Sequence, residues 1–470
     1  MSRLLVVTLA FSVSALAPAA AQQPSPGQAV RQFASVEEPV VVLRNVKVID
    51  GTGAPARTGQ AVLIQNGKIA AVGPVAGVKV PEGARVLDLP GHTVIPGLVG
   101  LHDHMYYNSR HQLFSYPKLF LAAGVTTIRT TGSYDSYQEL NLKRAIEQGQ
   151  VVGPTIYVTG PYLQGPGPGP GSMHPLSGPD DARRMVKYWA DEGVSWFKAY
   201  TQISRAELGA AIEEAHKNNV KVTAHLCSVG FREAVALGID NLEHGLLVNT
   251  EYFPQKQPDQ CPGGFNTDSA YAALDVNNPA VQQTFREMIQ KGVAMTSTLA
   301  VMEIGHPSRQ PVDPRVLDAL HPDARQAVLS QYERAKSRNW THAERALKKA
   351  VEYERAFVKA GGLLAAGSDP CCVDAIAGYS DQRNFELLVG GGFTAEEAVR
   401  VMSWNGAKVL GGGDRFGTIE TGKQADLIVL NGDPTRSAAD IKNVVTVFKN
   451  GVGYDAAKLT AAVKGRVGMN

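Results

Sequence analysis

Short apolar runs that stop on a metal-binding side chain recur along this chain, with helical patterns between them. The first run, Val94-Ile95-Pro96-Gly97-Leu98-Val99-Gly100, reads as a buried strand and leads into Leu101-His102-Asp103-His104. Side chains alternate along a strand, so His102 and His104 face the same way and can share an ion. A lone His-x-His pair says little, and a structural role would normally win. Four later runs change that: they stop at Lys198 (after Val194-Ser195-Trp196-Phe197), His225 (after Val222-Thr223-Ala224), His244 (after Asn241-Leu242-Glu243) and Asp369 (after Ala365-Ala366-Gly367-Ser368). Strands alternating with helices predict an α/β fold with a parallel sheet. When such a sheet closes into a (β/α)8 TIM-like barrel, the chemistry sits at the strands' C-terminal ends. Imidazole nitrogens and carboxylate oxygens gathered there are the donors a divalent metal needs.

At 470 residues the chain exceeds what one hydrophobic core usually serves, so a large domain with a smaller companion is expected. A net charge of +2 gives no reason to expect nucleic acid or an anionic membrane as partner. Arg3, the apolar run Leu4 to Leu16 and Ala19-Ala20-Ala21-Gln22 form the three parts of a secretory signal peptide over residues 1–21. That run is too short to span a membrane, and no later one is long enough. Residues 22–36, rich in Gln, Pro and Ser, read as a flexible leader. The expected destination is outside the cytoplasm, in a bacterial periplasm or the medium.

Both ends carry short β-rich runs. Near the start these are Pro39 to Leu43, Val46 to Asp50 and Ala61 to Ile64, with the hairpin cue Asn66-Gly67 after the last. Near the end they are Gly417 to Ile419, Ala425 to Leu430 and Val444 to Gly451. They predict one small composite β-sandwich built from residues 37–94 and 411–470, beside a barrel over residues 95–410. The barrel segment is longer than the fold requires. Residues 249–280, residues 303–345 and the Gly- and Pro-studded stretch Gly160 to Gly178 read as added loops and helices that shape a pocket. Asp180 to Glu192 has helical spacing, and Thr394 with Glu397 has that of a capping box.

The ordered set His102, His104, Lys198, His225, His244 and Asp369 resembles the amidohydrolase superfamily of metal-dependent hydrolases. The likeness is greatest to its imidazolonepropionase-like and Xaa-Pro dipeptidase-like branch, and it covers nearly all of the chain after residue 37. It implies that the first pair comes from the first barrel strand, the lysine from the fourth, the later histidines from the fifth and sixth, and the aspartate from the eighth. It also implies a carboxylated Lys198 bridging two metal ions, usually Zn²⁺. One departure stands out. Dipeptidase-like relatives often have His-Ala-Tyr-Thr at the fifth strand, where the tyrosine contacts a substrate carboxylate; here the run is His225-Leu226-Cys227-Ser228.

The chemistry of these residues agrees with that likeness. A free lysine is protonated near neutral pH and ligates poorly, whereas its carbamate is an anion with two oxygens. Forming it requires an amine with a depressed pKa, which burial and nearby cations supply. A bound metal lowers the pKa of water from 15.7 to about 7. Asp369 would ligate one ion and shuttle a proton from the nucleophile to the leaving amine. His174, in the third loop, is either a surface residue or a group that polarises the substrate carbonyl or binds a carboxylate. Tyr106 shares the parity of His104 and is a candidate substrate contact. Arg129 is another, although a structural ion pair fits it better.

The leading reading is an exported binuclear zinc amidohydrolase acting through a metal-held hydroxide on a small amide, such as an Xaa-Pro dipeptide or an N-acyl amino acid. Two rivals remain: a mononuclear cyclic-amide hydrolase or deaminase of the same superfamily, and an inactive binding protein on the same scaffold. A homo-oligomer is compatible with either. The four cysteines lead to one more expectation, a disulfide from Cys261 to Cys371 or Cys372, against the alternative that all stay reduced.

Overall fold

The structure is a computed structural model that describes residues 27–167, 169–253, 256–262, 268–338, 340 and 342–469. The predicted signal peptide and the start of the leader lie outside the described residues. The rest of the leader is not a flexible segment. Val30 and Phe33 are buried against Leu121, Val152, Tyr454 and Leu459, and Ala34–Val36 pairs antiparallel with Val452–Asp455. Its polar composition concealed two apolar anchors that dock on the body of the protein.

Parallel strands carry the predicted site residues. We label them β1 (Leu98–Asp103), β2 (Val125–Thr130), β3 (Thr155–Tyr157), β4 (Trp196–Ala199), β5 (Lys221–Ala224), β6 (Asn241–Glu243), β7 (Ala294–Ser297) and β8 (Leu364–Ala366). β1 to β3 form one parallel sheet and β4 to β8 another. Backbone contacts join the two sheets at both edges. Past β3, Thr159 bridges to Trp196 of β4 in parallel. Past β8, the amides of Ser368 and Asp369 donate to the His102 carbonyl at 3.1 and 2.9 Å. That second approach needs glycine at 367, because a Cβ there would lie 2.2 Å from the His102 amide nitrogen.

A helix follows each strand. They are α1 (Tyr116–Ala122), α2 (Ser136–Glu147), α3 (Pro179–Asp191), α4 (Arg205–Lys217), α5 (Phe231–Leu237), α6 (Pro279–Lys291), α7 (Ala343–Lys359) and α8 (Tyr379–Gly390). α3 buries Ala182, Met185 and Val186, the i, i+3, i+4 stripe its sequence predicts. α4 starts at a full capping box between Ser204 and Glu207.

The second body is a nine-stranded sheet assembled from both ends of the chain. Its centre pairs Leu427–Asn431 with His92–Pro96, which in turn pairs with Val40–Val48. Val41, Leu43, Val62, Ile64, Val94, Leu427, Val429 and Phe448 form its core. The apolar run 94–100 thus serves two sheets. Pro96 ends the first strand, and Gly97 lets the chain cross Thr126, whose Oγ1 would lie 2.1 Å from a Cβ at that position.

The expected bridge from Cys261 to Cys371 or Cys372 is wrong. Cys261 is bonded to Cys227, with Cα atoms 4.9 Å apart, and Cys371 and Cys372 are free. The long insertion folds back over the end of β5, where Thr250 Oγ1 donates to the Cys227 carbonyl at 2.6 Å and Lys256 Nζ to the Ser228 carbonyl at 2.6 Å. The loop after β8 is fastened elsewhere, by Tyr107 and Asn108. Closing a loop of 34 residues restricts the unfolded chain, so Cys261→Ser is expected to lower unfolding free energy by roughly 3–4 kcal/mol in a urea titration.

Candidate metal centre

The strand ends bring all six predicted ligands into one neighbourhood. His102 lies near the end of β1 and His104 just past it, with their rings 5.4 Å apart, and the His244 ring lies 4.5 Å from His102 and 4.4 Å from His225. Lys198 Nζ donates to His102 Nε2 at 2.9 Å. Asp369 Oδ1 lies 2.9 Å from His104 Nε2 and 3.7 Å from His102 Nε2. His102, His104 and Asp369 present ligand atoms that all lie within 4.8 Å of one another. Two members reach the cluster through a turn and not through strand parity: His244 has φ 64° and Asp369 φ 52°. Left-handed backbone at a non-glycine residue costs of order 1–3 kcal/mol and is characteristic of functional sites.

Electrostatics keep the donors ready for a cation. Burial pushes the His102 imidazole down to about 4, with the Lys198 charge adding to it, and pushes His225 down to about 3. Burial and the neighbouring imidazoles hold His244 well below its ordinary value. All three rings are therefore neutral near pH 7. Burial works against ionisation of Asp369, but His102 and His104 hold its carboxyl well below the usual carboxylate range. Lys198, 2% exposed, is pushed by burial down to about 8 against the pull of Asp369 and Glu243.

The donor set also fits a metal geometrically. His244 Nδ1 is held by Thr298 Oγ1 at 2.7 Å, while its buried Nε2 has no hydrogen-bond partner among the described residues. His102 Nδ1 donates to Glu243 Oε2 at 2.7 Å, which leaves its Nε2 lone pair facing Lys198 and Asp369. The neutral rings have low folded-state pKa values against an unfolded value near 6.5, so the unfolded chain binds more protons below that pH. Metal-free protein is accordingly expected to lose stability as pH falls from about 6.5 toward 4, measured by thermal melts in chelator.

Glu243 is the functional residue that sequence reasoning passed over. Fully buried at the end of β6, its carboxylate accepts from His102, from Asn241 Nδ2 at 2.8 Å, and from Arg129 and Thr223. Burial opposes its ionisation, yet Arg129, His102 and Lys198 hold it far below the ordinary range. The signal was present: Asn241 and Glu243 share strand parity, and a buried acid one residue before a candidate ligand needs a partner. Glu243→Gln should weaken metal affinity by about 10–100-fold, the usual effect of losing a ligand's orienting partner, as read by competition with a chelating dye.

Two predicted substrate contacts are corrected. Arg129 is 0% exposed, stacked 4.4 Å from the Trp196 ring and bound to Glu243, so it has no reach to a substrate. His174 is not in the cluster: its side chain is 60% exposed and rests 3.4 Å from Asp181 on the first turn of α3. The loop that carries it is drawn to the helix start by Ser177, whose amide also donates to Asp181. Tyr106 does sit at the site, with its ring 4.5 Å from His104 and its hydroxyl 2.5 Å from that of Tyr162. Tyr134, Tyr162 and Tyr200 continue an aromatic wall to His225. Only Tyr106 of these four was singled out from sequence.

Neutral imidazoles, a partly exposed carboxylate and a buried lysine at the C-terminal ends of parallel strands form a candidate metal site of the kind hydrolases use. Residues 93–453 match the amidohydrolase family. The chain belongs to the amidohydrolase family. Among solved structures it is similar to a bottromycin amidohydrolase, at 19% identity and a TM-score of 0.69 over 96% of each chain. It is also similar to a Xaa-Pro dipeptidase with methionine bound in its active site, at 20% identity and a TM-score of 0.65 over 88% of this chain and all of that one. A dihydroorotase of Syntrophus aciditrophicus (strain SB) is 37% identical over 94 residues, a segment spanning 19% of this chain and 21% of that enzyme.

Proposed function

We propose that this protein is an exported binuclear metal-dependent amidohydrolase that cleaves the amide bond of a small substrate, with an Xaa-Pro dipeptide or an N-acyl amino acid as the leading candidates. One observation carries the reading: His102, His104, Lys198, His225, His244 and Asp369 converge where parallel strands end, with a bare imidazole nitrogen on His244. The eight strands close, in this reading, into a (β/α)8 barrel through the β3–β4 and β8–β1 contacts. Likeness to the Xaa-Pro dipeptidase supports the substrate class, and the Cys227–Cys261 disulfide supports export to an oxidising compartment.

In this reading His102, His104 and Asp369 would hold one divalent ion and His225 and His244 a second, and Lys198, once carboxylated, would add an anionic oxygen donor. Ions bound there, Zn²⁺ by the nature of the donors, would polarise the substrate carbonyl and make water a nucleophile at neutral pH. The chain's residues supply the rest. With its pKa lowered by burial, Lys198 offers a neutral amine that attacks the carbon of CO₂ and gives up one proton to form the carbamate, which burial shields from acid. Asp369, with its side chain 16% exposed, stands where it can take a proton from the attacking water and pass it to the leaving nitrogen. Glu243 fixes the ring of His102, and the tyrosine wall excludes water beside the substrate.

Metal analysis of the purified protein followed by a screen of dipeptides, N-acyl amino acids and lactams tests the proposal. About two ions per chain with turnover of linear amides is the expected outcome. The tight grouping of His102, His104 and Asp369 favours one alternative, a mononuclear enzyme. About one ion per chain with turnover of lactams only would establish it in place of the binuclear reading.

A further inference from the structure

We propose that Cys371 and Cys372 form a reversible disulfide with each other, a redox modification site on the loop that leaves Asp369. The two Sγ atoms are 2.7 Å apart, both residues are partly exposed, and neither takes part in the Cys227–Cys261 bond. The backbone around them is shaped to keep the sulfurs together. Cys371 N–H donates to the Asp369 carbonyl at 2.8 Å, Asn108 N–H to the Cys371 carbonyl at 2.7 Å, and Ala375 N–H to the Cys372 carbonyl at 2.9 Å. Val373 follows in the left-handed region at φ 52°, an uncommon conformation for a β-branched residue, and its carbonyl accepts the Tyr107 hydroxyl at 2.6 Å. Neither thiol belongs to the proposed ligand set, although their turn follows directly on Asp369.

The oxidant is a small-molecule disulfide. The thiolate of one cysteine attacks it, forming a mixed disulfide and releasing one thiol. The neighbouring thiolate then attacks the protein sulfur of that mixed disulfide, closes the Cys371–Cys372 bond and releases the second thiol. Two protein S–H bonds and one external S–S bond are lost. One protein S–S bond and two external S–H bonds replace them, so two electrons pass to the oxidant and the two protons end on the released thiols.

Reversibility follows from covalent geometry. Consecutive Cα atoms are fixed about 3.8 Å apart, short of the ~4.4–6.8 Å that disulfides usually span, and a bond held outside that range is more easily reduced. Cys227 and Cys261, at 4.9 Å, lie inside it. Mild reductant should therefore open the adjacent pair and leave the other bridge intact. The closed form would tie the loop that positions Asp369.

The test treats the full-length purified protein with oxidised glutathione and counts free thiols after denaturation. Two thiols before treatment and none after are expected, with the peptide containing residues 371–372 lighter by about 2 Da and free of glutathione. Cys372→Ser should instead trap a single glutathione adduct on Cys371. A wild-type protein that keeps both thiols, carries stable glutathione adducts or cross-links into dimers overturns the proposal. Thiol counts and peptide masses read the same in protein without hydrolase activity, so this result stands apart from the proposed function.

Discussion

Asparagine at Asp369 is expected to leave the fold and most of the bound metal in place while lowering kcat by about 10²–10⁴-fold, the worth of one positioned general acid–base group. Asn keeps an oxygen at the place from which Asp369 Oδ1 contacts His104 Nε2 at 2.9 Å, so coordination should largely survive. What is lost is the ability to take up a proton. His102 and His104 hold the Asp369 carboxyl well below the ordinary range, which secures the ionised form of the apo site near neutral pH. Metal content, thermal melting and kcat at saturating substrate should be measured on one preparation. More than half the wild-type kcat with metal intact would remove Asp369 from the mechanism.

Lys198→Ala should act on the metal itself. Lys198 is buried within 2.9 Å of His102 Nε2 and stands between the two groups of histidines in the proposed arrangement. Loss of a bridging carbamate should cost at least the ~10–100-fold in metal affinity typical of an orienting partner, with turnover falling in step. Added short-chain carboxylates should restore part of both, because a small acid can occupy the vacated space and offer two oxygens. A crystal structure of the metal-loaded wild type supplies the second readout. A bare ammonium on Lys198, remote from any ion, would sink the carbamate and with it the expected rescue.

Much of the site is legible in the amino-acid sequence. Strand periodicity places His102 and His104 on one face, and apolar runs mark Lys198 and His225 as strand ends, because alternation and run length are written locally in the chain. The composite sheet is legible for the same reason, from β-rich runs and an Asn-Gly turn. Other features have no local signature. His244 and Asp369 reach the cluster only because their backbones turn left-handed, which residue type does not announce for a His or an Asp. Glu243 and Arg129 are recognisable as an ion pair only once residues 114 apart share a desolvated interior. His174 goes to Asp181 and Cys261 to Cys227 through the folding of long loops, whose closure depends on a few distant contacts and not on periodicity. By itself, then, the sequence determined the order and chemistry of the candidate ligands and the strands that carry them. Only tertiary structure decided which buried charges face one another and which cysteines meet, because burial and electrostatic pairing belong to the packed chain and not to any stretch of it.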